Sequence, residues 1–189
     1  MEWKWAYAAL ENRAFKLGSS FEFVEFCVLA FLSFSLPVLV GHPQQVVGTL
    51  VNAFLIITAL NLGARQAFFL SLLPSIGALT RGVLFGPFTP ALAIMVPFIW
   101  AGNFILILAI KMLLIERRAS YALAVIAGSF AKASLLFASA FALLQFNLVP
   151  ALFLTAMGAV QLFTALAGGV LAWLVVKAGS RLARLPQVL

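Results

Sequence analysis

Charge is what this sequence has least of. Only 9% of its 189 residues are charged and 65% are hydrophobic, whereas soluble domains carry roughly a quarter charged residues. That balance excludes a soluble globular domain and marks an integral membrane protein. Cysteine is equally scarce. Cys27 is the only one, so the chain has no internal disulfide and no thiolate metal cluster. A lone histidine, His42, and no H-E-x-x-H argue against a zinc protease or a polyhistidine metal path. There is no G-x-x-x-x-G-K-[ST] loop to cradle ATP phosphates and no G-x-S-x-G elbow to present a serine nucleophile. No paired carboxylates lie within an apolar run to relay protons. Together these absences speak against an enzyme and require no cofactor or metal.

What is present is apolar and helical in period. Residues 1–17 carry Trp3, Tyr7, Leu10, Ala14 and Leu17 at helical spacing, with Lys4, Glu11, Arg13 and Lys16 between them. That pattern predicts an amphipathic helix lying in the membrane interface. It is not a secretory signal, because the first apolar run begins late and has Glu22 and Glu25 at its start. Six candidate spans follow, at 21–40, 46–62, 66–85, 90–113, 121–146 and 151–177, joined by short connections rich in Gly, Pro, Asn and Arg. The last is long enough to tilt. The expected fold is therefore all-α and polytopic: an interfacial helix over 1–17 and one six-helix transmembrane domain over 18–189.

The net charge of +7 does not point to nucleic acid, since the basic residues separate apolar runs instead of forming a patch. Topology explains them. With the N-terminus in the cytoplasm, Lys4, Arg13, Lys16, Arg65, Lys111, Arg117, Arg118, Lys177, Arg181 and Arg184 all fall inside, ten of the 12 Lys and Arg residues. The outer loops keep only Arg81, and Lys132 lies within a span. The positive-inside bias thus places both termini in the cytoplasm.

Polar groups within the spans are few enough to weigh singly. Lys132 is too deep in the fifth span to snorkel easily, and Glu22, Glu25 and Glu116 all map near the cytoplasmic side. A charge near the bilayer centre costs at least ~2.5–3.5 kcal/mol. Lys132 is thus either tied structurally to pairing groups or carbonyls, or it faces a water- or ligand-filled cavity. Asn52, Asn103 and Gln161 either bridge helices or contact a ligand. At 1.5 Å per residue these four groups lie roughly 9 to 21 Å below the outer ends of their helices, a depth that predicts one shared cavity. Pro74 and Pro97 free backbone carbonyls and bend their helices; Gly102 admits a neighbouring helix, and Asn103 faces the interior. Arg81, His42 and Gln44 either crown that cavity from the outer loops or are ordinary solvated loop residues. Ala124-Gly128-Lys132, Ala127-Ala131, Ala165-Gly169 and Gly168-Ala172 are small-residue pairs for close helix contact, internal or with another subunit.

The segments VVGTLVNAFLIITALNLGARQA (46–67), LPSIGALTRGVLFGPFTPALAIMVPFIWAGN (73–103), AK (131–132) and QLFTALAGG (161–169) resemble a generically described bacterial subgroup of the substrate-binding S components of energy-coupling factor (ECF) transporters. The resemblance covers most of the chain from residue 36 onward. It implies a multi-pass protein of the bacterial inner membrane that binds a vitamin or other micronutrient in an outward-facing pocket. Its partners would be a transmembrane coupling subunit and two cytoplasmic ATPases. The first outer loop, GHPQQ, is shorter than the lid loop common in that family, which leaves RGVLFGPFTP as the candidate lid. A membrane scaffold or assembly protein, and a small stand-alone carrier or channel, are the competing readings.

Overall fold

The computed structural model describes residues 11–15, 18–40, 43–81 and 86–183. No strand occurs among them. The chain runs through α1 (Ser19–Leu39), α2 (Gln44–Asn61), α3 (Ala64–Arg81), a 3-10 turn (Gly86–Phe88) and α4 (Thr89–Ile110), which continues as a π-helical stretch (Lys111–Glu116). Then come α5 (Tyr121–Gln145), the short α6 (Leu152–Met157) and α7 (Ala159–Ala183). Five of the helical stretches are long and apolar enough to cross a membrane: Ser19–Leu39, Gln44–Asn61, Gly86–Glu116, Tyr121–Gln145 and Leu152–Gly179. α3, with Arg65 and Arg81 near its two ends, is not among them.

Helix ends follow local chemistry. Pro43 stands at the N-cap of α2, and Pro90 opens the first turn of α4, where a missing N–H leaves no partner wanting. Ser120 caps α5 by accepting from the Leu123 amide. At the other end of α5, Asn147 adopts φ 55°. The Leu148 amide there reaches Leu143 O and the Asn147 amide reaches Leu144 O, the paired bonds of a Schellman stop.

α1 buries only Leu29, Ser33 and Pro37 and turns Phe21, Phe23, Phe31 and Leu39 outward. α2 is the centre, with Leu55, Ile56, Ala59 and Leu60 fully covered. It packs most closely on α7, as α5 does on α4 and α1 on α3. Glycines set these distances. A Cβ at Gly168 would stand 2.7 Å from Asn52 Cβ and 2.9 Å from the Thr49 carbonyl; one at Gly77 would stand 2.3 Å from the Phe34 carbonyl. Gly128 faces Leu106 and Ala109, Gly169 faces Val125, and Gly102 faces Leu136. Ala124, Gly128, Ala165, Gly168, Gly169 and Ala172 are all buried. These small-residue pairs therefore serve internal packing; Ala131 alone of the set is exposed.

Three boundaries differ from the sequence reading. The helix expected over 1–17 does not run through its described part: after Glu11 the chain leaves helical geometry. The Ala14 and Phe15 amides there donate to Leu60 O instead of continuing a helix; residues 1–10 and 16–17 lie outside the described residues. The sixth run, expected to be continuous over 151–177, is broken between α6 and α7 at Gly158, with φ −95° and ψ −94°. Only glycine fits that position, since a Cβ would meet Leu154 O at 2.7 Å and Phe137 Cδ2 at 2.8 Å. Lys111, grouped with the loop charges of the inner side, is instead completely buried. Its helix continues past it as a π turn, and its amine is drawn inward to carbonyls.

Candidate functional site

At the strap end of the bundle, where residues 11–15 cross the helix ends, the chain's charges interlock. Lys111 Nζ donates to Asn12 O (2.6 Å) and to Leu62 O (2.8 Å). Arg13 pairs with Glu22, and Asn12 with Glu116. Gln66 donates to Glu22 and Asn61 to Glu25, while Glu11 accepts from the Ala64 amide. Most groups here already have a protein partner, although Asn61 Oδ1 has none among the described residues, and Arg13, Ala14, Leu114, Ile115, Arg118 and Ala119 line a cavity of about 360 Å³ at this end, which Lys111 does not line.

The other half of the bundle is different. All seven helices contribute to the lining of a cavity of about 80 Å³, α1 through Pro37 and α6 through Met157. Its walls include Val47, Val51, Pro74, Ala78 and Leu92, with Asn52, Asn103, Lys132, Gln161, Gln44 and Ser75 supplying polar groups. Lys132 is 2% exposed, Asn52 1% and Asn103 2%. Lys132 Nζ donates to Asn52 Oδ1 at 2.6 Å and to Asn103 Oδ1 at 2.8 Å.

Each amide is oriented by its other end. Asn52 Nδ2 donates to Gly48 O (2.9 Å) and Thr164 Oγ1 (3.2 Å); Asn103 Nδ2 donates to Ser71 O (2.9 Å). Turning either amide over would set its oxygen against a carbonyl and its NH2 against the amine, so both oxygens must face Lys132. Thr164 in turn donates to Gln161 O. Hydrogen bonds to a charged donor contribute about 1.5–3 kcal/mol each. Two of them match the ~2.5–3.5 kcal/mol that a mid-membrane lysine costs. No carboxylate pairs with Lys132 among the described residues.

Asn52, Asn103 and Lys132 thus meet directly, and Gln161 lies in the same wall. Pro97 is exposed, while Gly102 and Asn103 behind it are buried, Gly102 against Leu136 of α5. The Arg81 side chain and His42 lie outside the described residues. Gln44, expected at the rim, is in the wall as well; Thr164 and the Trp100–Ser75 hydrogen bond (2.6 Å) were not singled out from the sequence. QLFT places Thr164 one helical turn after Gln161, which is the signal that could have found it. Glu22, Glu25, Glu11 and Glu116 all sit at the strap end, so no metal-ligating cluster forms among the described residues. No family model, curated protein or solved structure matches the chain.

Proposed function

We propose that this chain is the membrane-embedded substrate-capture subunit of an ECF-type ABC importer of the bacterial inner membrane, binding a small micronutrient-like ligand in an outward-facing pocket. The carrying observation is Lys132, buried beside a cavity and held by two amide oxygens without a carboxylate. Six spans complete the topology. α3 is the third, its arginine-flanked helix packed against α1, α4 and α2. With both termini cytoplasmic, the strap end faces inward, and Pro37, Gln44 and Leu92 bring the cavity to the outer side. The chain carries no nucleotide loop, so import depends on a coupling subunit and two cytoplasmic ATPases.

Two measurements test this. A tagged copy expressed at native level should co-purify with a transmembrane subunit and ATPases, and reporter fusions at Arg65, Arg117 and the C-terminus should read cytoplasm while one at Pro87 reads outside. ATP-independent uptake by the protein alone in liposomes would replace the importer with a stand-alone carrier. A second reading has an observation of its own. Asn52 of α2 also bonds to Thr164 of α7, and Asn103 of α4 to Ser71 O of α3, as helix-holding amides in a non-transporting scaffold would. That reading stands if no metabolite raises the melting temperature of the purified protein.

A further inference from the structure

The charge arithmetic of the cavity narrows what it can hold. Its wall carries one cation, Lys132, and no anion among the described residues. An ammonium has three protons; two go to Asn52 and Asn103, which leaves the third for something else. The Asn NH2 groups are spent on Gly48 O, Thr164 and Ser71 O, so they offer a ligand nothing. The carboxamide side chains of Gln161 and Gln44, in the same wall, are in no hydrogen bond with any described residue. The rest of the lining is largely apolar.

Beside an amine only 2% exposed, an uncompensated charge is penalised. A cationic ligand would raise the net charge to two, and a dianion would leave one negative charge unpaired. A single negative charge closes the sum to zero. Size adds a second limit. A cavity of about 80 Å³ is small beside the roughly 300–1,000 Å³ of pockets that hold drug-sized ligands, so the ligand is compact.

We infer that the pocket's ligand is a compact monoanion: a carboxylate on a short apolar body, its charge on the third proton of Lys132 and its second oxygen within the reach of the Gln161 amide. The apolar body lies against Val47, Val51, Pro74 and Ala78. This rests on the capture reading and specifies its chemistry.

The test is a thermal-shift and calorimetric series on the full-length protein in detergent. The probes are propionate, butyrate and pentanoate, each with its amide, its amine and the dicarboxylate of the same chain length. Monocarboxylates should bind at least tenfold more tightly than all three counterparts. Lys132→Met should erase that preference and leave the amides as good as the acids. Asn52→Asp supplies an internal counter-charge; it should weaken monocarboxylates at least tenfold even where Lys132→Met fails to fold, since Thr164 can turn to donate to the new carboxylate. Tighter binding of an amide, an amine or a dicarboxylate would overturn the monoanion while leaving ligand capture standing. Binding of no probe by the wild type would overturn the inference and count against capture itself.

Discussion

Two lysines are buried in this bundle, and their amines have almost the same geometry. Lys111 donates at 2.6 and 2.8 Å, and so does Lys132. Neither has a carboxylate in contact among the described residues. The acceptors differ. Lys111 holds the carbonyls of Asn12 and Leu62, fixed by the backbone that carries them, and so ties the strap to the end of α2. Lys132 holds two side-chain amide oxygens, each oriented by its own NH2 group, and a cavity adjoins it. Burial of a cation is therefore no mark of a ligand site. What distinguishes one is space beside the amine for an incoming group: Lys132 lines a cavity, and Lys111 lines neither that one nor the one at the strap end.

The comparison can be broken from several sides. The largest effect is expected for Lys111→Met. The buried Leu62 carbonyl and the partly buried Asn12 carbonyl would lose their donor at about 1–3 kcal/mol each, so the variant should melt as though destabilised by about 2–6 kcal/mol, and limited proteolysis should cut earlier near residues 11–15. Ligand affinity should not move. Gly168→Ala comes next. Its Cβ would press on Asn52 Cβ and on the α2 backbone, an overpacking worth about 1–3 kcal/mol. Because the push falls on Asn52, melting temperature and ligand affinity should fall together, and a loss of stability alone would show that the amide cluster tolerates a wider helix spacing. Tyr121→Phe removes the bond to Gly169 O (2.7 Å) far from the cavity; about 1 kcal/mol of stability should go, with binding unchanged. Arg13→Ala is the smallest. Its pair with Glu22 is partly solvated, and such pairs contribute below about 1 kcal/mol; urea titration should barely separate the variant from wild type.

Much of the Lys132 site was legible in the sequence. Amides and an amine at mid-membrane depth cannot face hydrocarbon, so Asn52, Asn103 and Lys132 had to turn inward, and inward they meet. Thr164 and Ser75 were not legible, because a hydroxyl in a membrane helix can satisfy itself on its own backbone and so signals nothing by its presence. Ser75 does bond to Leu72 O while also accepting from Trp100. Lys111 was misread for a different reason. It precedes Glu116, Arg117 and Arg118, and charge near a run of charges reads as a loop. Only the tertiary partners, the carbonyls of Asn12 and Leu62, draw it inside. The strap and the Gly158 break share that cause: both depend on contacts between segments distant in sequence, Leu60 for one and Phe137 for the other.

The central claim is that Lys132 serves a ligand and Lys111 serves the fold. The direct measurement is the melting temperature of wild type, Lys111→Met and Lys132→Met, each with and without saturating monocarboxylate. Lys132→Met should melt within about 1 kcal/mol of wild type, since water in the adjoining cavity can replace the lost bonds, and should gain nothing from the ligand. Lys111→Met should melt low and still be stabilised as much as wild type. A Lys132→Met protein that melts as low as Lys111→Met, in a series where no ligand stabilises even the wild type, would contradict that claim.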